Sequence, residues 1–153
     1  MSETTRTRVV RRIGADPTST ALLLAGPTAL ELWPGVRLVG EAGGRVLVEA
    51  ALPPEQEDAV PTAASVRALP PQRTPTSFVT RFAWTGPGLP VTEGTLTLAY
   101  APGADGAPST QASLVLDSTG VVGSRVDVPA LTAMAEEFLA NLARAAESRN
   151  RAA

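Results

Sequence analysis

Two periods divide the chain. From Val128 to about Ser148, Leu131, Met134, Phe138 and Leu142 recur at spacings of three and four, the period of one helix face. From Val36 to Leu116 the apolar residues instead alternate in short runs broken by Gly and Pro, which predicts strands and turns. Thr5–Ile13 alternates too, with Thr5, Thr7, Val9, Arg11 and Ile13 on one face and Arg6, Arg8, Val10 and Arg12 on the other. Asp16-Pro17 reads as a helix cap and first helical residue, starting a short helix that runs to about Leu24 and ends at Gly26-Pro27. A second short helix, Thr28–Leu32, closes at Trp33-Pro34-Gly35, because the residue before proline resists the helical region.

Six further strands are expected, over Val36–Glu41, Arg45–Leu52, Ala64–Leu69, Thr76–Thr85, Val91–Ala101 and Thr110–Leu116. Gly43-Gly44 predicts a tight hairpin turn between the first two. The acidic, proline-rich residues 53–63 read as an exposed loop, Pro70–Pro75 as a connection, Pro102–Pro108 as a turn-rich loop, and Ser118–Arg125 as the lead into the long helix. Arg149–Ala153 is expected to fray. The pattern is α+β: a strand, two short helices, six strands in a meander, then one long helix whose apolar stripe needs a concave sheet to receive it. No repeat and no linker divides residues 1–153, which are expected to form one domain.

Composition narrows the function more by exclusion than by indication. The chain of 153 residues is 44% hydrophobic and 18% charged, enough apolar content for a globular core. The thirteen basic residues are all Arg, and apart from Arg6–Arg12 they are scattered; with a net charge of −2 this argues against nucleic acid as a partner. The chain has neither Cys nor His, which excludes thiolate chemistry and every Ser–His or Cys–His nucleophile pair. No calcium-loop motif occurs, so neither a metal nor a cofactor is expected. No secretory signal opens the sequence and no apolar run reaches the ~18 residues of a membrane span. The expectation is a soluble cytoplasmic protein, monomer or homodimer.

Two stretches carry a resemblance. VVRRIGADP (Val9–Pro17) looks like a strand-to-helix text of the form V-x-R-x-I-x-A-x-P. ALLLAGPTALELWPGV (Ala21–Val36) looks like LL-x-D-P-x-x-x-x-x-W-P-G-V, with Gly26 in place of Asp. With the terminal helix in its place, the chain resembles the helix-grip superfamily (SRPBCC). That superfamily includes START lipid-transfer domains, the birch-pollen allergen, polyketide cyclases and aromatases, and coenzyme-Q-binding proteins. The resemblance implies a seven-stranded, strongly curved antiparallel sheet wrapped around the C-terminal helix, with the two short helices closing one end. It also implies a cavity between sheet and helix for a small hydrophobic molecule. Because these motifs make turns and pack the core, they bear on fold more than on activity.

Within that expectation, Phe78, Phe82 and Trp84 share a strand face and, with Trp33 and Tyr100, are candidate aromatic walls. Aromatics are only 4% of the chain, so finding most of them on one face would be informative; ordinary core packing is the competing reading. Val48, Thr80 and Leu98 share the inward faces, and Met134, Phe138 and Asn141 would face them from the helix. Arg11 is a candidate to fix a ligand oxygen, against a pairing with Glu49 or Glu31 or an escape to the rim. Tyr100 and Glu31 complete the candidate catalytic polar groups. Glu49 and Arg67, with Arg81, are expected on the outer face.

Three readings remain open, one of them a protein-binding module whose groove receives a partner's apolar segment, which needs an exposed apolar patch; the other two concern a small ligand. One is a polyketide-cyclase or dehydrase-like enzyme that works largely by positioning its substrate. The other is a non-catalytic carrier or sensor of a lipid or quinone.

Overall fold

A computed structural model of the chain describes residues 4–50, 62–86, 91–103, 105–119 and 128–152. Residues 53–61 of the expected loop 53–63, Leu52, residues 87–88 of the turn and 120–125 of the lead-in lie outside them, while Thr62 and Ala63 belong to a strand rather than to the loop.

The first strand, β1 (Thr4–Ile13), runs into a short helix, α1 (Pro17–Leu22). Asp16 caps α1 as the sequence suggests: its carboxylate accepts from the Ser19 amide at 3.4 Å, and Pro17 takes the first position. A 3₁₀ segment, Pro27–Leu32, follows and stops at Trp33, which Pro34 holds extended at φ −72°, ψ 134°. Strands β2 (Val36–Ala42) and β3 (Arg45–Ala50) form a hairpin whose two turn residues, Gly43 and Gly44, both have positive φ (59° and 77°), the conformation a two-residue turn of this hand demands. Then come β4 (Thr62–Ala68), β5 (Gln72–Arg73), β6 (Ser77–Thr85), β7 (Val91–Tyr100), β8 (Thr110–Thr119) and the long helix α2 (Val128–Ala152).

All pairings are antiparallel, in the order β1-β8-β7-β6-β4-β3-β2, with β5 added against β6. The sheet thus has eight strands where seven are expected. The extra one is a two-residue pairing, Gln72 with Val79 and Arg73 with Phe78, inside the stretch read as a connection. β8 extends to Thr119, and α2 continues as helix through the residues expected to fray.

The concave face buries Ile13, Val48, Leu96, Leu98 and Leu114 completely, or nearly so. Helix α2 meets it with Ala135, Phe138, Leu139, Leu142, Ala143 and Ala146, and lies along β1. This stripe is rotated from the expected one. Leu131 and Met134 are only half-buried at its margin, and three alanines take the centre. With so little side chain between them, the backbones of helix and sheet approach closely there.

Outside the core, Arg6 pairs with Asp117 at 2.8 Å and Arg37 with Glu49 at 2.5 Å. Each arginine's pKa is raised, first by the hydrogen bond to its carboxylate and then by that group's charge. Glu49 therefore faces Arg37 on β2 rather than Arg67, which stands opposite Ala83 on β6.

Candidate functional site beneath the 3₁₀ segment

Where the 3₁₀ segment crosses the sheet, large side chains hold the layers apart. A cavity of about 280 Å³ opens there. Its roof is Leu24, Ala29, Leu30 and Trp33; its floor is Val46, Val66, Ala68, Thr80, Phe82 and Leu96; Phe138 closes it from α2. The volume stands just under the ~300 Å³ at which ligand sites usually begin.

Trp33 organises this end. It is buried, stacks on Phe138 with ring centroids 4.3 Å apart and planes 17° from parallel, and meets Phe82 and Trp84 edge-on at 6.1 and 6.0 Å. Pairs of this geometry contribute about 0.5–1.5 kcal/mol each beyond their burial. The segment carrying Trp33 is held to α2 by a hydrogen bond from the Asn141 Nδ2 to the Leu32 carbonyl at 2.7 Å. The tip of the Phe82 ring lies over Gly94 on β7: a Cβ there would stand 2.2 Å from its Cζ.

Two polar side chains reach the cavity. Thr80 is half-buried, and its hydroxyl has no hydrogen-bond partner among the described residues. Glu41 is delivered by a bulge. Leu38 pairs with Val48, but the register then shifts, so that Gly40 opposes Leu47 and Glu41 opposes Val46. Simple alternation from Arg37 would put Glu41 on the outer face. The extra residue turns it to the face of Val46, which lines the cavity.

Of the candidate ligand-binding residues, Trp33, Thr80, Phe82 and Phe138 come together here. Trp84 supports Trp33 from outside the lining, and Met134 stays at the margin of the helix stripe. Val48 and Leu98 face inward but lie within the packed core rather than against the cavity. Asn141 does not point at the cavity; its amide is occupied by Leu32 and by the Arg144 guanidinium, which donates to its oxygen. Phe78 and Tyr100 belong to a separate groove of about 360 Å³ against the start of α1, where Arg73 stands 5.6 Å from the Phe78 ring centre. Tyr100 is 47% exposed, because it sits at the end of β7, past the cover of the helix.

Arg11 shares its face with Val9 and Ile13 but is exposed, since β1 is the edge of the sheet. Glu31 points to solvent from the 3₁₀ segment. Neither reaches the cavity. Leu24, Ala29, Leu30, Val46, Val66, Ala68 and Leu96 line it without having been singled out as site residues, and Glu41 was hidden by the bulge.

Among the described residues no group of three or more Asp or Glu side chains could hold a metal ion, and no helix is long and apolar enough to cross a membrane.

No protein-family model matches the chain, and no curated protein matches it. Solved structures do. A conserved protein from Geobacillus kaustophilus matches with a TM-score of 0.66 at 9% identity, over 94% of this chain and 96% of its own. A START superfamily protein from Mycobacterium smegmatis matches with 0.58 at 16% identity, over 94% and 95%. The Zhui aromatase/cyclase from Streptomyces sp. R1128 matches with 0.60 at 18% identity, over 98% of both chains. At these identities the likeness is one of fold, and it agrees with the curved antiparallel sheet and the C-terminal helix: the chain has a helix-grip fold, as the START superfamily protein and the aromatase/cyclase do.

Proposed function

We propose that this protein binds a small hydrophobic molecule in the cavity beneath the 3₁₀ segment and acts as a carrier or sensor in the cytoplasm. The observation that carries the reading is the open space walled by Trp33, Phe82 and Phe138. Three aromatic rings around an otherwise aliphatic cavity suit a flat or ring-bearing ligand, through apolar burial and edge or face contacts. A volume of about 280 Å³ suits a small ligand, or the ring end of a larger one, better than a folded polyketide chain.

A cyclase-like activity ranks second. The likeness of fold to an aromatase/cyclase favours it. Against it, the chain has no His or Cys, and only Thr80 and Glu41 bring polar side chains to the cavity. That is too few to assign an acid and a base.

Native mass spectrometry of the purified protein, before and after solvent extraction, tests the reading. A co-purifying small molecule that extraction removes, and whose return changes Trp fluorescence, is the expected result. Failure of every ring-bearing hydrophobic probe to change that fluorescence would sink it.

A further inference from the structure

The cavity has one charged wall and three aromatic ones. Glu41 is the single ionisable side chain lining it among the described residues, and it makes no ion pair with any of them. Its position depends on a device. The bulge after Leu38 spends one residue of β2 to bring this carboxylate from the outer face to the cavity side. Bulges recur where a side chain has to be re-aimed beside a site. The arginines nearest in sequence have other places: Arg37 pairs with Glu49, and Arg45 donates to Ser65 and Thr85.

The rings add to the same field. An aromatic face carries partial negative charge and attracts a cation held over it. Trp33, Phe82 and Phe138 line the same cavity, so any ring face they turn to a ligand favours the sign of charge that Glu41 favours. A carboxylate ligand would meet repulsion at the rim and no basic side chain in the lining to offset it.

We infer that the ligand is a hydrophobic molecule bearing a protonated amine, held with its apolar body among Trp33, Phe82 and Phe138 and its ammonium group against Glu41. This rests on the cavity being a ligand site. It excludes fatty acids and other apolar carboxylates as the preferred class.

Three probes with one ring and different heads separate the two levels of the argument: 2-phenylethylamine, 2-phenylethanol and 3-phenylpropanoate. Each is titrated into the full chain while Trp fluorescence is followed. The expected order of affinity is amine, then alcohol, then carboxylate. Each step should be about twofold to fivefold, the size of one exposed charge contact. In Glu41→Gln the amine should fall to the affinity of the alcohol and the carboxylate should rise toward it, while the alcohol is unchanged. Glu136→Gln, which removes the same charge from the exposed face of α2, should leave the wild-type order intact. Equal binding of all three probes, or a preference that survives Glu41→Gln, overturns the charge assignment and leaves the cavity as a neutral site. No binding by any probe removes the cavity reading and this inference together.

Discussion

The two sides of the sheet–helix interface use the same sheet and the same helix to opposite effect. Along β1, α2 presents Ala135, Ala143 and Ala146 with Leu139 and Leu142 between them, and every one of these is buried to 1% exposure or less. Beneath the 3₁₀ segment the same helix presents Phe138, which meets Trp33 over a cavity of about 280 Å³. Small residues let the helix settle onto the strands, and close packing then fills the gap. Large flat rings cannot fill a curved space completely, and Trp33 props the layers apart. A helix-grip protein can thus be solid at one end and hollow at the other, with side-chain size deciding which.

The largest expected effect tests that contrast directly. Leu139→Ala, on the solid side, should cost about 4 kcal/mol, near the top of the range for a fully buried leucine, because nothing nearby can collapse into the hole. Phe138→Ala should cost only about 2–3 kcal/mol. Its ring already borders open space, although the stack on Trp33 is lost with it. Denaturant unfolding of both variants measures the difference. If Phe138→Ala costs as much as Leu139→Ala or more, the hollow side is not hollow in solution.

A smaller effect sharpens the floor of the cavity. Gly94→Ala places a methyl group 2.2 Å from the Phe82 ring, so the ring, which lines the cavity, must shift. Overpacking of this kind costs about 1–3 kcal/mol. The cavity should close with it, and the response of Trp fluorescence to 2-phenylethanol should disappear. Adding Phe82→Ala to Gly94→Ala removes the clash, so the pair should be far from additive, with a coupling of more than about 1 kcal/mol. Additive costs, or undiminished probe binding in Gly94→Ala, would show that Phe82 does not set the depth of the site.

How much of this could be read from the sequence follows the same division. Order and type of the elements were legible, because Val46, Val48, Phe82, Leu96, Leu98 and Leu114 keep a strict period of two, and Phe138 and Leu142 keep the helical one. The centre of the helix stripe was not, since alanine carries a weak apolar signal although it decides how near the helix comes. Glu41 was missed because a bulge inverts the parity from which a face is read; Gly40, a lone glycine within a strand, is the one signal of that bulge. Arg11 and Tyr100 were placed on the right faces but at an edge and a strand end, where periodicity cannot say how far the helix covers them. The strand pairing at Gln72–Arg73 is too short, and too closely flanked by prolines, to leave a pattern.

The smallest expected effect separates the two sides by their hydroxyls. Thr7 on β1 is 5% exposed, and its Oγ1 has no hydrogen-bond partner among the described residues. Thr80 on β6 likewise has none, but it borders the cavity, where water can reach it. A hydroxyl sealed away without a partner costs about 1–3 kcal/mol relative to one that is solvated, whereas one in contact with water costs little. Thr7→Val keeps the β-branched shape and removes the stranded group, so it should raise stability by about 1 kcal/mol. Thr80→Val should change stability by less than about 0.5 kcal/mol. Thermal melts of the two single variants read this out. Equal shifts would mean that water or another partner reaches Thr7 as it reaches Thr80, and the side of the interface along β1 would then be less tightly sealed than its alanines suggest.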